Sequence, residues 1–245
     1  METLNTRKGT IQDDEVYSRF LDQTVPLMVY LPEHYSPLYS YSTLYLQDGD
    51  DYFKLGKLAA TLDQLIAANK IDKCMAVAVP VDKEVRTARY RADGEQYAAY
   101  KRFFAEELVS YIDRTYATHP MSGARVIGGE SLGGSVSLDI ALAYPHTFHH
   151  VISQSGAFYT GTIERINQFD SHQKLSIYQS VGREETAVET SNGTLDLYAL
   201  NQDVYQVLQR QHIPVTYHEF DGDHTWGHWQ KDLAQALTFT LKKEE

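Results

Sequence analysis

Apolar positions along the chain alternate between two spacings. Short, nearly continuous apolar runs end at polar or Gly/Pro breaks. Residues 25–30 (VPLMVY) stop at Leu31-Pro32, residues 42–46 (STLYL) at Gln47-Asp48-Gly49-Asp50, residues 175–181 (LSIYQSV) at Gly182, and residues 215–220 at Asp221-Gly222-Asp223. Residues 73–81, 124–127 and 151–153 read the same way. Runs apolar on both faces suit parallel strands covered by helices on either side. Between them the spacing becomes i, i+3, i+4, which buries one stripe of a helix. The stripes are Leu55, Leu58, Leu62, Leu65 and Ile66; Tyr97, Tyr100, Phe104, Leu108, Tyr111 and Ile112; Val136, Ile140 and Ala141; Leu197, Leu200, Val204, Val207 and Leu208; and Trp229, Leu233, Ala236, Leu237 and Thr240. No repeat or Pro/Gly-rich linker interrupts this order. The alternation predicts an α/β fold in one domain, residues 1–245, with a mostly parallel sheet between helices. Residues 1–20 are expected to add an antiparallel hairpin.

Composition narrows the functions available. With 22 basic and 33 acidic residues the formal net charge is −11, which argues against nucleic-acid or membrane-surface partners. No apolar run approaches membrane-spanning length, and the opening METLNTRKGTIQDDE has no secretory apolar stretch. Cys74 is the only cysteine, so neither an internal disulfide nor a thiolate metal cluster is expected. These features predict a cytoplasmic protein with no cofactor and no metal; a homodimer is left open.

The sharpest chemical signal is Gly129-Glu130-Ser131-Leu132-Gly133-Gly134, a match to G-x-S-x-G. Such a match arises by chance about once in a dozen chains of this length. Here an apolar strand leads directly into it and a helical pattern, starting near Gly134, follows. That context fits a tight strand-to-helix turn that lifts a serine hydroxyl clear of the sheet. The flanking glycines are small because backbone crowds there. The helix start aims free N–H groups at the reaction centre, which makes the Leu132 N–H an expected oxyanion donor.

A serine hydroxyl needs a base. Of ten histidines, His224 follows a strand at its C-terminal end and lies late in the chain, as the order serine, acid, histidine requires. His146, His149 and His150 sit at the opposite sheet edge and read as solvated turn residues. The acid is expected after the preceding strand, in Gly182-Arg183-Glu184-Glu185; Glu185 is favoured and Glu184 is the alternative. A second oxyanion donor is expected from the loop after residues 42–46, at Asp50, with Gly49 as alternative.

The strand–GGESLGG–helix, the QDG loop, the VGREE turn and the GDHTW turn resemble the putative-esterase family of α/β-hydrolases. That family includes enterochelin-esterase-like, feruloyl-esterase-like and S-formylglutathione-hydrolase-like enzymes. The resemblance spans roughly residues 25–240. It implies the α/β-hydrolase fold, here without a large cap domain, and a serine carboxylic-ester hydrolase acting on a small-molecule ester, with Ser131 as nucleophile and His224 as base. Relatives commonly carry Asp where Glu185 stands.

Other readings bear on the same residues. A silent binding protein that keeps the fold, or an acyltransferase using the same three side chains, would share these motifs. His224 and His228 are i, i+4, a spacing that can bind zinc on a helix, but no Glu completes the usual pattern. Arg86, Arg89 and Arg91 are expected in a solvated, salt-bridged loop, with an anionic substrate as their alternative partner. The 18 tyrosines, Tyr52 and Tyr159 among them, read mainly as packing, and Trp226 and Trp229 as anchors of the last helix and the His224 turn.

Overall fold

The computed structural model describes residues 8–170, 172–190 and 193–242. The strands are β1 (Thr10–Ser18), β2 (Gln23–Leu31), β3 (Ser42–Leu46), β4 (Cys74–Ala78), β5 (Arg125–Glu130), β6 (His150–Gln154), β7 (Ser176–Gly182), β8 (Val188–Thr190), β9 (Gly193–Leu195) and β10 (Val215–Phe220). Eight of them form one sheet in the order β1-β2-β4-β3-β5-β6-β7-β10, and β8 pairs with β9 alone. From β4 to β10 every neighbour is parallel; β1 and β2 are antiparallel additions at one edge.

The helices are α1 (Gly49–Lys54), α2 (Leu58–Ala67), α3 (Lys83–Tyr90), α4 (Tyr97–Arg102), α5 (Val109–Thr115), α6 (Leu132–Ala143), α7 (Thr160–Gln168), α8 (Leu197–Arg210) and α9 (Trp226–Thr240). A π-helical segment, Phe103–Leu108, joins α4 to α5. Successive strand residues point to opposite faces, and both faces are apolar. Tyr45, Val77, Ile127, Val151 and Ile177 enter one core layer, together with Tyr100, Phe104, Leu108 and Val204 from the helices. Their neighbours Leu44, Ala76, Val126, Ile152 and Tyr178 enter the other, with Leu58, Leu62, Leu233 and Leu237. This double burial explains the continuous apolar runs, and the architecture is the α/β-hydrolase type. Among the described residues, the connection from β7 to α8 carries the small β8–β9 ribbon. Among the described residues, no helix is long and apolar enough to cross a membrane.

Three expectations change. The stripe from Leu55 to Ile66 is not one helix: Lys57 takes a left-handed conformation (φ 51°), so the chain breaks into α1 and α2 and Leu55 is left exposed. Residues 10–18 form one strand that pairs with β2 rather than a hairpin of their own; residues 1–7 lie outside the described residues. The arginine-bearing segment after β4 is the helix α3, started by Asp82, whose carboxylate accepts the Glu84 N–H at 2.9 Å.

Candidate active site

Three strand ends converge at the C-terminal edge of the sheet. β5 runs into α6 through Ser131, which has φ 53° and ψ −123°. A non-glycine residue there costs about 1–3 kcal/mol and persists only when its surroundings hold it. They do so here through backbone bonds: Ser131 N–H donates to Gln154 O (2.9 Å), and Ser131 O accepts from Ala157 N–H (3.0 Å). The flanking glycines are sterically required. A β-carbon on Gly129 would collide with the Gly133 backbone, and one on Gly133 would lie 2.8 Å from the Asp48 carboxylate.

β7 and β10 are parallel neighbours with Gly182 opposite Phe220, so the turns that follow them lie side by side. Arg183 N–H donates to Phe220 O (2.9 Å), and Glu184 N–H to Gly222 O (3.1 Å). This pairing brings Glu185 to His224. Glu185 Oε2 lies 2.7 Å from His224 Nδ1, and His224 Nε2 lies 3.0 Å from Ser131 Oγ. A carboxylate only accepts, so Nδ1 carries the proton and Nε2 presents its lone pair to the serine hydroxyl. Glu185 is fully buried, whereas Glu184, the alternative acid, is exposed.

The Glu185 carboxylate has further donors. Its Oε1 accepts from Ser155 Oγ (2.6 Å) and Gly182 N–H (2.7 Å). A buried charge is tolerable only with such bonds. Ser155, also at positive φ (48°), accepts in turn from Trp229 Nε1–H at 2.8 Å. The Trp229 ring stands edge-on to the His224 ring, 4.8 Å between centroids, and Trp226 packs edge-on against both Trp229 and Tyr52. The tryptophans therefore do hold the histidine turn. The segment Ser153–Tyr159 is marked in the sequence as cleft-lining by its place at the end of a strand, but nothing local singles out Ser155 within it as the partner of Glu185.

The two expected oxyanion donors sit at helix starts, where N–H groups have no intrahelical partner. Leu132 opens α6 and Asp50 is the second residue of α1. Gly49, the alternative to Asp50, donates its N–H to Val79 O at 2.9 Å. A cavity of about 450 Å³ opens over these groups, lined by Ser131, Leu132, His224, Asp50, Tyr159 and Trp229 among others.

Arg86 also faces this cavity, and here the reading of a solvated loop is corrected. Its guanidinium binds Asp48 bidentately, Nε to Oδ1 at 2.8 Å and Nη2 to Oδ2 at 2.7 Å, and reaches the side chain (3.3 Å) and carbonyl (3.4 Å) of Glu130. Burial pulls its charge down, but the bond to Asp48 and the two carboxylates more than offset this and keep it protonated. Arg89 is buried and donates to Gln96; Arg91 pairs with Asp93. Burial, then the nearby Asp48 charge, push the Glu130 carboxyl up to about 8.

The remaining candidates lie elsewhere. His224 precedes α9, so it shares no helix face with His228, which stacks on Phe220 and approaches Asp223 at 3.4 Å. His146 is exposed at the far sheet edge, but His149 and His150 are half-buried, and burial pulls the His150 imidazole down to about 4. Cys74 is buried in β4, and burial raises its thiol to about 12.

A family model described as putative esterase matches residues 18–240. The uncharacterized protein YjcH of Bacillus subtilis is 38% identical over 233 residues, covering 94% of this chain and 97% of its own. Among solved structures, a ferulic acid esterase superposes with a TM-score of 0.82 at 19% identity, covering 96% of this chain and 98% of the other. S-formylglutathione hydrolase (FrmB) from Staphylococcus aureus superposes with a TM-score of 0.75 at 17% identity, with 96% and 98% covered.

Proposed function

The chain belongs to the putative esterase family and is a carboxylic ester hydrolase, and from that premise we propose a serine esterase that works through an acyl-enzyme on Ser131. The observation that carries this reading is the continuous relay from Ser131 Oγ to His224 Nε2 (3.0 Å) and from His224 Nδ1 to the buried Glu185 (2.7 Å).

In the first half-reaction His224 Nε2 takes the Ser131 proton as Oγ attacks the ester carbonyl carbon. The carbonyl π electrons move onto oxygen, and the Leu132 and Asp50 N–H groups hold that oxyanion. Each such donor contributes about 3–4 kcal/mol to the transition state. The oxyanion then collapses, the bond to the alcohol oxygen breaks, and His224 returns its proton to that oxygen. In the second half, water gives a proton to His224 and its oxygen attacks the acyl carbon. Ser131 leaves with the proton, and the carboxylic acid departs. Glu185 keeps the imidazole in the correct tautomer and stabilises its charged form throughout. A cavity of about 450 Å³ suits a small or medium ester.

The test is a pair of measurements. A fluorophosphonate is expected to modify Ser131 alone, read by peptide mass spectrometry. Ser131→Ala is expected to lose p-nitrophenyl acetate hydrolysis by about 10³-fold or more while keeping its fold. Substantial turnover in the folded variant would remove Ser131 from the mechanism.

A further inference from the structure

The two N–H groups assigned to the oxyanion come from segments far apart in sequence, the start of α1 and the start of α6. Their separation must be held to a fraction of an ångström for both to bond one oxygen. Backbone pairing supports part of this: Gln47 N–H donates to Gly128 O at 2.9 Å. Beyond Gln47 the loop's backbone is tied to the residue following β4, Gly49 N–H donating to Val79 O at 2.9 Å. Asp48 adopts left-handed geometry (φ 50°, ψ 45°), and its side chain does not cap α1. Its carboxylate instead turns under the elbow helix, 2.8 Å from where a Gly133 side chain would begin.

One cation joins the two segments. Arg86 holds both Asp48 oxygens, two residues before Asp50, and reaches the side chain and carbonyl of Glu130, two residues before Leu132. Its guanidinium lies over the Tyr90 ring at 5.2 Å, and the Tyr90 hydroxyl accepts the Asp48 N–H at 3.3 Å. Arg86 and Tyr90 share one face of α3, so a single helix grips the loop by side chain and backbone. The Nε and Nη2 donors of Arg86 are committed to Asp48 and Glu130.

We propose that Arg86 is a positioning residue for the oxyanion site, clamping the Asp48–Asp50 loop to the Glu130–Leu132 elbow so that both N–H donors address one oxygen. This rests on the serine mechanism proposed above. A planar fork suits the task because it satisfies two loops in a fixed plane; a lysine ammonium can balance charge but cannot impose that geometry.

The experiment compares Arg86→Met and Arg86→Lys with wild type, using p-nitrophenyl acetate, fluorophosphonate labelling and binding of an alkylboronic acid, which forms a tetrahedral adduct on serine. Arg125→Met is the control, since it breaks another buried ion pair, to Asp113, at the opposite end of β5. In both Arg86 variants kcat is expected to fall by about 10- to 100-fold, with KM within about threefold and boronate affinity falling in step with kcat/KM. Arg86→Lys keeps the charge and guards against a Met variant that fails to fold. Arg125→Met is expected to lower the melting temperature with little change in kcat. The inference is overturned if Arg86→Lys keeps wild-type kcat. It is also overturned if either variant raises KM alone, or if Arg125→Met loses kcat as much as they do. Failure of the serine mechanism would look different, as wild-type enzyme that does not label at Ser131.

Discussion

Glu130→Gln offers a direct view of the charge cluster beneath the Ser131 turn. Glu130 is 7% exposed and precedes Ser131. Facing it are Asp48, Arg86, Asp51 and Glu185. Arg86 favours its ionised form but bonds Asp48 more tightly, at 2.7 Å against 3.3 Å for Glu130. Burial and the Asp48 charge prevail, and the carboxyl is raised from 4.5 to about 8. The sign of the consequence follows from proton counting. Between those two values the unfolded chain has released the proton and the folded chain keeps it. Unfolding then releases a proton, so rising pH favours the unfolded state. One proton corresponds to a loss of about 1.4 kcal/mol of stability per pH unit across that window, levelling off above it. Glutamine is nearly isosteric, keeps an oxygen for Arg86 and cannot titrate. Urea unfolding of both proteins at steps from about pH 5 to about pH 8 reads the effect, because groups remote from Glu130 cancel in the difference. Glu130→Gln is expected to gain on wild type as pH rises, by about 1.4 kcal/mol per unit. Parallel curves, or a gap that closes with rising pH, would show that Glu130 is ionised and held by Arg86, refuting the reasoning.

Two further substitutions probe the same geometry. Glu185→Gln preserves shape but can present an amide N–H to the imidazole and disturb its tautomer; kcat for p-nitrophenyl acetate is expected to fall by about 10³- to 10⁴-fold. Gly133→Ala should stabilise α6 on helix propensity alone, by up to about 1 kcal/mol. Its methyl would instead press on the Asp48 carboxylate at 2.8 Å, so kcat is expected to drop at least about 10-fold, and a fully active variant would show that the loop can yield.

Much of the fold was legible because burial on two faces leaves an unmistakable mark. Ser42–Leu46 was delimited to the residue as β3, since an apolar run there meets a Gln-Asp-Gly break; Val215–Phe220, the half-buried edge strand β10, was delimited by its Asp-Gly-Asp break. Helix α3 was not legible: RTARYR lacks an apolar stripe, and its arginines are held by an ion pair (Arg86 to Asp48) and a hydrogen bond to a neutral amide (Arg89 to Gln96) rather than by hydrophobicity. The break at Gly56-Lys57 was hidden as well, because leucines on either side keep helical spacing across it.

The candidate site divides along the same line. Ser131 with its glycines, and His224 after a strand, could be found from local order, since a tight strand-to-helix turn restricts its own residue types. The sequence alone left Glu184 beside Glu185 and Gly49 beside Asp50. Adjacent residues differ in burial and hydrogen bonding only through what packs against them: the β7–β10 register turns Glu185 inward, and the Val79 carbonyl engages Gly49. The contacts of Ser155 and Arg86 with the site were decided in the same way. Turn chemistry and periodicity are written in neighbours along the chain, whereas hydrogen bonds among buried charges join residues that only the folded sheet brings within three ångströms or so.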